Sequence, residues 1–191
     1  MKNEVRIIGG QWKRSKLPVA DRPGLRPTPD RVRETLFNWL GQDLTGWRVL
    51  DAFAGSGALG FEAASRGAAE VLLIERDAAL VRTLAEVKTR LRADAVRVQA
   101  GDALAWLSRC DPDRFELVLL DPPFDADLAD AALAAAVPTV APGGFVYLEA
   151  GREIEATPVG FICHRHLRAG RSIRTCSHAC GAKLPPPTVV P

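Results

Sequence analysis

Residues 47–150 alternate between short apolar segments and longer segments of helical periodicity, and this alternation constrains the fold more than any other feature. The segments WRVLDAF, AEVLLIERD, AVRVQAGD, FELVLLDPPF and FVYLEAG predict strands. Several are nearly all apolar, which is typical of strands covered on both faces. The intervening GALGFEAASRG, AALVRTLAEVKTRL, ALAWLSRC and ADLADAALAAAV predict helices. We therefore expect an α/β protein with a mostly parallel, doubly wound sheet and ligands at the carboxyl ends of its strands.

The ends of the chain differ from this central part. Residues 4–10 predict a short strand, residues 11–29 an extended arm rich in Pro, Gly and Arg, and residues 30–40 a helix. A length of 191 residues favours a single domain: an arm over 1–29, a core over 30–170 and an irregular tail over 171–191. The N-terminus lacks a signal-peptide pattern, so we expect a cytoplasmic protein, and we favour a monomer.

The charges are unevenly distributed, although the net charge is only +2. Residues 1–33 hold nine Lys and Arg against three Asp and Glu, and residues 161–191 hold five basic residues and no acidic ones. Residues 34–160 hold 11 basic and 20 acidic residues. Two basic ends around an acidic centre favour a polyanionic partner over the alternative, a solvated surface with a chance asymmetry.

The first predicted strand runs into a glycine loop, LDAFAGSGALG. Gly55, Gly57 and Gly60 match the G-x-G-x-x-G pattern of dinucleotide-binding folds, which is weak evidence alone. Asp51 precedes this loop at the strand end. A carboxylate there repels a phosphate and suits a cationic ligand.

Acidic residues end four successive predicted strands: Asp51, Glu75, Asp102 and Asp121. Acids also end strands because they cap helices, but four in series favour a ligand without phosphate. S-adenosylmethionine fits because it carries a sulfonium, an α-ammonium and an adenosine. Glu75 is placed to accept both ribose hydroxyls, and Asp102 to accept a hydrogen bond from an amino group.

The segments DAFAGSGALGFEA, LLIERD, GDAL and LLDPPF resemble the motifs of S-adenosylmethionine-dependent methyltransferases of exocyclic base amines, class I enzymes with a Rossmann-like fold. RIIGGQWKRSKLPV and GLRPTPDRVRETLFNWL narrow the resemblance to the RsmD family, bacterial methyltransferases of guanine N2 in 16S ribosomal RNA. The resemblance covers residues 5–170.

This resemblance implies a set of cofactor-binding residues. The loop that holds the methionine part comprises Asp51, Phe53, Ala54, Gly55, Ser56 and Gly57. Glu75 is implied to bind the ribose, and Asp102 with Ala103 the adenine. Thr28 is implied to border the cofactor.

The strand end Asp121-Pro122-Pro123-Phe124 is the expected catalytic site. An exocyclic amine is a poor nucleophile because its lone pair is conjugated into the ring. Hydrogen bonds from its N–H groups to the Asp121 side chain and the Pro122 carbonyl expose that lone pair. The prolines have no N–H that competes for the target nitrogen, and Phe124 can stack on a flipped base. The alternative is a strand terminator with an aromatic plug.

The basic arm is the expected RNA contact, with Arg6, Trp12, Lys13, Arg14, Lys16 and Arg26 as candidates. Trp12 has an alternative role, packing beneath the arm. The expected substrate is 16S ribosomal RNA in an assembled or assembling small subunit. Other hypotheses are an adenine or cytosine amino-methyltransferase, a nucleotide-dependent oxidoreductase and a non-catalytic RNA-binding factor.

The C-terminal segment departs from the family pattern, which ends in two further strands. GFICHRHLRAG predicts the first strand, whereas RSIRTCSHACGAKLPPPTVVP has too little alternating hydrophobicity to predict the second. We favour a divergent, for example frame-shifted, end with a shortened or irregular last strand and disorder near residues 185–191. The alternative is a zinc site formed by Cys163, His164, His166, Cys176, His178 and Cys180, whose spacing matches no strong motif. We expect no metal.

Overall fold

The computed structural model describes residues 4–20, 28–123, 128–151, 158–168 and 176–180, and of residues 166–168 and 176–180 it describes the backbone alone. The helices are α1 (Asp30–Trp39), α2 (Ala58–Ser65), α3 (Ala78–Leu91), α4 (Ala103–Leu107) and α5 (Ala129–Ala136). The strands are β1 (Glu4–Arg6), β2 (Lys16–Pro18), β3 (Arg48–Asp51), β4 (Glu70–Glu75), β5 (Val96–Ala100), β6 (Phe115–Leu120), β7 (Val140–Ala150), β8 (Cys163–Arg168) and β9 (Cys176–Cys180).

The main sheet has the order β5-β4-β3-β6-β7-β9-β8 within the described residues. The pairs from β5 to β7 are parallel, and β9 runs antiparallel to both of its neighbours. Buried apolar clusters lie on the two faces of this sheet, one around Val49 and Leu119 and the other around Leu50 and Val118. This is the predicted Rossmann-like architecture. The strand order reverses between β3 and β6, where such sheets bind ligands.

The helix boundaries follow the local sequence closely. The helix α3 begins where the Asp77 side chain accepts the amides of Ala79 and Leu80, at 2.7 and 3.2 Å. Strand β7 is longer than predicted, because it begins at Val140 and includes Pro142-Gly143-Gly144. A shift in the β6–β7 register between Phe115 and Leu117 accommodates this stretch, as a bulge allows a proline in a strand.

Part of the arm forms a β-hairpin, which corrects the expectation of an extended segment over residues 11–29. Strand β2 pairs antiparallel with β1, and Leu17 is fully buried opposite Val5. The amides of Ile8 and Gly9 each donate to the buried carboxylate of Glu62 on α2, both at 2.8 Å. Apolar burial and this carboxylate therefore hold the hairpin against the core.

The tail also contains more regular structure than expected. Strand β9 lies within the segment that did not read as a strand, and it is inserted between β7 and β8. Its five residues pair with residues 146–150 of β7, so backbone hydrogen bonding to a free sheet edge compensates for the weak hydrophobic pattern. The expected disorder near residues 185–191 concerns residues outside the described part.

Within the described residues, none of the helices has the length and apolar character that a membrane span requires.

Candidate active site at the strand ends

The four acidic residues lie along one edge of the sheet. Asp51 and Glu75 are the last residues of β3 and β4, and Asp121 directly follows β6. Asp102 lies two residues beyond β5. Because these strands are consecutive neighbours and parallel, their carboxyl ends form a shared edge, as predicted.

The glycine loop depends on residues without a β-carbon. Gly55 and Gly57 have φ angles of 52° and 76°, in the left-handed region. A β-carbon on Gly57 would also lie 2.6 Å from the Phe61 ring. The Gly55 amide donates to Glu75 Oε2 at 2.9 Å, which ties the loop to the next strand end. Of the other loop residues, Ala54 and Ser56 are buried and Phe53 is half-buried.

Asp51 lies beneath this loop and is 1% exposed. Its Oδ2 accepts the Gly60 amide at 2.9 Å, an approach that a side chain on Gly60 would block, since a β-carbon there would lie 2.2 Å from Leu73. Its Oδ1 is buried with no hydrogen-bond partner in the described structure. Burial raises the pKa of Asp51 to about 7, against the Gly60 hydrogen bond and with a further increase from Glu75. A buried acceptor without a donor fits a cationic ligand group.

Glu75 and Asp102 also have structural roles. Glu75 Oε1 accepts the Asp77 amide at 2.8 Å. Asp102 is exposed and caps α4 through the Ala105 amide at 2.9 Å, with Ala103 buried beside it. Helix capping, the alternative considered from sequence, thus operates at Asp102. Each carboxylate has about four lone-pair sites, so these bonds leave acceptor capacity for a ligand.

Asp121 lies in a cluster of polar side chains at the end of β6. The Thr28 hydroxyl donates to its Oδ2 at 3.3 Å, and its carboxyl hydrogen bonds with Glu149 of β7. Asp121 as a whole residue has intermediate exposure, but its carboxyl is desolvated. Burial, followed by the charges of Glu149 and Asp51, raises the pKa of Asp121 well above its usual range. Pro122 is buried and Pro123 exposed, whereas Phe124 lies outside the described residues.

Three residues of this neighbourhood were not predicted from sequence. Glu149 is 3% exposed, and the Tyr147 hydroxyl donates to its Oε1 at 2.6 Å. Arg33 of α1 is fully buried and donates through Nε to the Thr28 carbonyl at 3.2 Å, which holds Thr28 near Asp121. For Tyr147 and Glu149, a signal was available in the segment YLEA, in which polar groups two residues apart share one face of an otherwise apolar strand.

The candidate RNA contacts differ in their exposure. Arg6, Lys13, Arg14 and Lys16 are exposed on the hairpin, with Lys16 paired to Glu4 at 2.7 Å. Trp12 is half-buried and packs against the core, which supports the alternative role considered for it. Arg26 lies outside the described residues.

Among the described residues, no group of His, Cys, Asp and Glu is arranged to hold a metal ion. Of the zinc candidates, only the Cys163 and His164 side chains belong to that part.

Comparison with known proteins gives consistent matches over most of the chain. A family model described as "Conserved hypothetical protein 95" matches residues 5–177. Ribosomal RNA small subunit methyltransferase D of Escherichia coli K12 is 42% identical over 172 residues, covering 88% of this chain and 86% of that protein. The Haemophilus influenzae protein of the same name is 40% identical over 157 residues, covering 80% and 81%. The structure of yhhF from Escherichia coli, a provisionally assigned methyltransferase, superposes with a TM-score of 0.82 at 39% identity, covering 96% of this chain and 100% of that one.

Proposed function

The chain belongs to the RsmD family, and from this premise we propose that it transfers a methyl group from S-adenosylmethionine to the exocyclic N2 amine of a guanine in 16S ribosomal RNA. The observation that carries the proposal is the position of Asp121-Pro122 directly after β6, beside the glycine loop and the buried acceptor Asp51. The substrate is a guanine of the assembled or assembling small subunit, and the protein acts in the cytoplasm as a monomer.

The hydrogen-bond acceptors of the site fit the cofactor. S-adenosylmethionine, when bound, supplies a methyl group activated by a positively charged sulfur. Asp51 accepts from its α-ammonium, because its buried carboxyl is approached by the backbone amides of Gly60 and Phe53 and keeps acceptor capacity for a cationic group. Phe53, Ala54, Gly55, Ser56 and Gly57 surround the methionine part, Glu75 accepts the ribose hydroxyls, Asp102 and Ala103 contact the adenine, and Thr28 borders the site.

The residues after β6 orient the target amine. Asp121 and the Pro122 carbonyl accept its two N–H groups, so that the lone pair points toward the methyl carbon. The ring of Pro122 fixes the backbone φ angle, which reduces the conformational freedom lost on binding. Phe124 covers the flipped base. Asp121 takes the proton that the nitrogen loses after transfer, so this chemistry needs no covalent enzyme intermediate.

The proposal is tested by transfer of labelled methyl from S-adenosylmethionine to small subunits from a strain that lacks this gene. Purified 16S ribosomal RNA serves as the parallel substrate, and the modified nucleotide is mapped by mass spectrometry. We expect one N2-methylguanine, formed faster on subunits than on free RNA. A methylated adenine or cytosine would replace the guanine assignment with the alternative amino-methyltransferase.

The raised pKa of Asp51 predicts a pH-dependent cofactor affinity. With a pKa of about 7, Asp51 is mostly neutral at pH 6 and becomes ionised as the pH rises, and the ionised form binds a cationic amine better. We expect the affinity for S-adenosylhomocysteine to rise roughly fivefold to tenfold from about pH 6 to 7.5, below the pKa of the ligand's own amine.

Isothermal titration in two buffers of different ionisation enthalpy measures both this affinity and the proton released on binding. The Asp51→Asn variant keeps an acceptor for the Gly60 amide but has no carboxylate to ionise. It should bind more weakly and show little change over the same pH range. An equal pH dependence in the variant would contradict the role given to Asp51.

The hairpin predicts a second, electrostatic effect. Replacing Lys13 and Arg14 by glutamine should weaken RNA binding similarly for all sequences, and should reduce the slope of log affinity against log salt by roughly one for each phosphate that the variant no longer neutralises. Filter binding at several salt concentrations measures the slope. Arg97→Gln, a matched charge removal at an exposed position of β5, should leave it unchanged. An unchanged slope in the double variant would place the RNA elsewhere.

A further inference from the structure

The strand register places a second carboxyl group beside Asp121. In the parallel pairing of β6 with β7, Leu119 lies opposite Tyr147 and Leu120 opposite Leu148. Extended by one residue, this register sets Glu149 beside Asp121. Both residues are on the face of the sheet that also carries Asp51, since Asp51 pairs with Leu119 and side chains alternate along a strand.

Glu149 is held in place by hydrogen bonds to neighbouring side chains. The Tyr147 hydroxyl donates to Oε1 at 2.6 Å, and Thr28 and Asp121 also hydrogen bond to its carboxyl. Glu149 is 3% and Tyr147 1% exposed, so water does not substitute for these contacts. Two carboxyl groups in one hydrogen bond need a proton between them, because two adjacent buried anions would repel each other.

We propose that Glu149 and Asp121 form a proton-sharing pair, in which Glu149 is a positioning residue that orients Asp121 and sets the pH at which Asp121 can accept a proton. Asp121 contacts the substrate, whereas Glu149 acts only through Asp121. The inference rests on the proposed function for the step at the amine, but the pair itself exists in the free protein.

The transfer step balances with this pair. The amine lone pair forms the new N–C bond, the C–S bonding pair stays on sulfur, and the cationic nitrogen then gives one proton to Asp121. Asp121 can receive it only when ionised, which happens when the shared proton resides on Glu149 or has left the pair.

The charged groups around the pair determine the direction of the effect. The charges of Glu149 and of Asp51 on β3 disfavour ionisation of Asp121, whereas the hydrogen bond from Thr28 favours it. Burial disfavours ionisation of Glu149, and hydrogen bonds with Tyr147, Asp121 and Thr28 favour it. On the side of β7 away from β6, strand β9 pairs with β7 and places Ser177 opposite Glu149. Glu149 therefore raises the pKa of Asp121 through its charge, and its removal lowers that pKa.

The direct test is a titration of the free protein, with the side-chain carboxyl carbons of Asp and Glu observed by ¹³C NMR. In the unmodified protein, Asp121 and Glu149 should titrate together with two apparent midpoints. In Glu149→Gln, the Asp121 midpoint should move to lower pH by about one unit or more, because a neighbouring negative charge is gone. An unchanged midpoint would overturn the proposal.

A second variant shifts the pair in the opposite direction. Tyr147→Phe removes a donor that stabilises the ionised pair, so the midpoints should rise. The rising limb of the pH profile of kcat should move down in Glu149→Gln and up in Tyr147→Phe. A loss of packing alone would lower kcat without moving the limb, and limbs that stay in place would contradict the inference.

These measurements separate this inference from the proposed function. Coupled titration in the free protein together with no methyl transfer to ribosomal RNA would reject the proposed function and keep the pair. Methyl transfer with independent titration of the two carboxyls would reject the pair and keep the proposed function.

Discussion

Methyl transfer is expected to fall by about a thousandfold in kcat when Asp121 is replaced by alanine, the range associated with loss of a group that accepts a proton or a developing charge. The amine then keeps only the Pro122 carbonyl as acceptor and has no base. Asp121→Asn keeps an acceptor oxygen but cannot take the proton, so its loss should be smaller, about a hundredfold. Single-turnover transfer of labelled methyl measures both variants.

The matched control for this experiment is Asp94→Asn. Asp94 is exposed and precedes β5, at the end of the sheet opposite the site, so its replacement should leave kcat unchanged. Calorimetry should show that Asp121→Ala still binds S-adenosylhomocysteine within about threefold, which separates chemistry from cofactor binding. Transfer by Asp121→Ala within about tenfold of the unmodified protein would remove Asp121 from the mechanism.

The largest stability effect is expected at Glu62, the buried carboxylate that joins α2 to the hairpin and to α1. It is fully buried and accepts from Arg33 at 3.2 Å, from Arg66 at 2.9 Å, and from the Ile8 and Gly9 amides. Glu62→Ala leaves these donors without their acceptor. We expect the free energy of unfolding to fall by about 3–5 kcal/mol, as measured by urea denaturation.

The same change should also reduce catalysis, since Arg33 holds the Thr28 carbonyl and Thr28 donates to Asp121. Glu34→Gln is the matched control, an exposed glutamate on α1 whose replacement should stay within about 0.5 kcal/mol. A change below about 1 kcal/mol for Glu62→Ala would show that the two arginines find other acceptors, as the partners of an exposed ion pair do.

The parallel core could be predicted from sequence because its signals are local. Helix α3 was predicted over AALVRTLAEVKTRL, the segment that it occupies, since apolar spacing and the adjacent Asp77 cap both belong to this stretch. Strand β2 was not predicted, and only a shortened or irregular last strand was expected in place of β9, because the hydrophobic patterns of both are weak and the pairing partner of β9 is distant in the chain. Strand β9, for instance, pairs with β7 about 30 residues earlier.

For the site, the sequence by itself determined which acidic residues lie at or just after the strand ends: Asp51, Glu75, Asp102 and Asp121. Parallel alternation brings strand ends to one edge, so their proximity followed from local periodicity. Only the tertiary structure decided the environment of each carboxyl. The groups around these carboxyls come from separate elements. The Gly60 amide donates to Asp51, Thr28 and Glu149 contact Asp121, and Arg33 donates to the Thr28 carbonyl. Burial and hydrogen bonding across such elements set the pKa values, and no spacing along one segment encodes them.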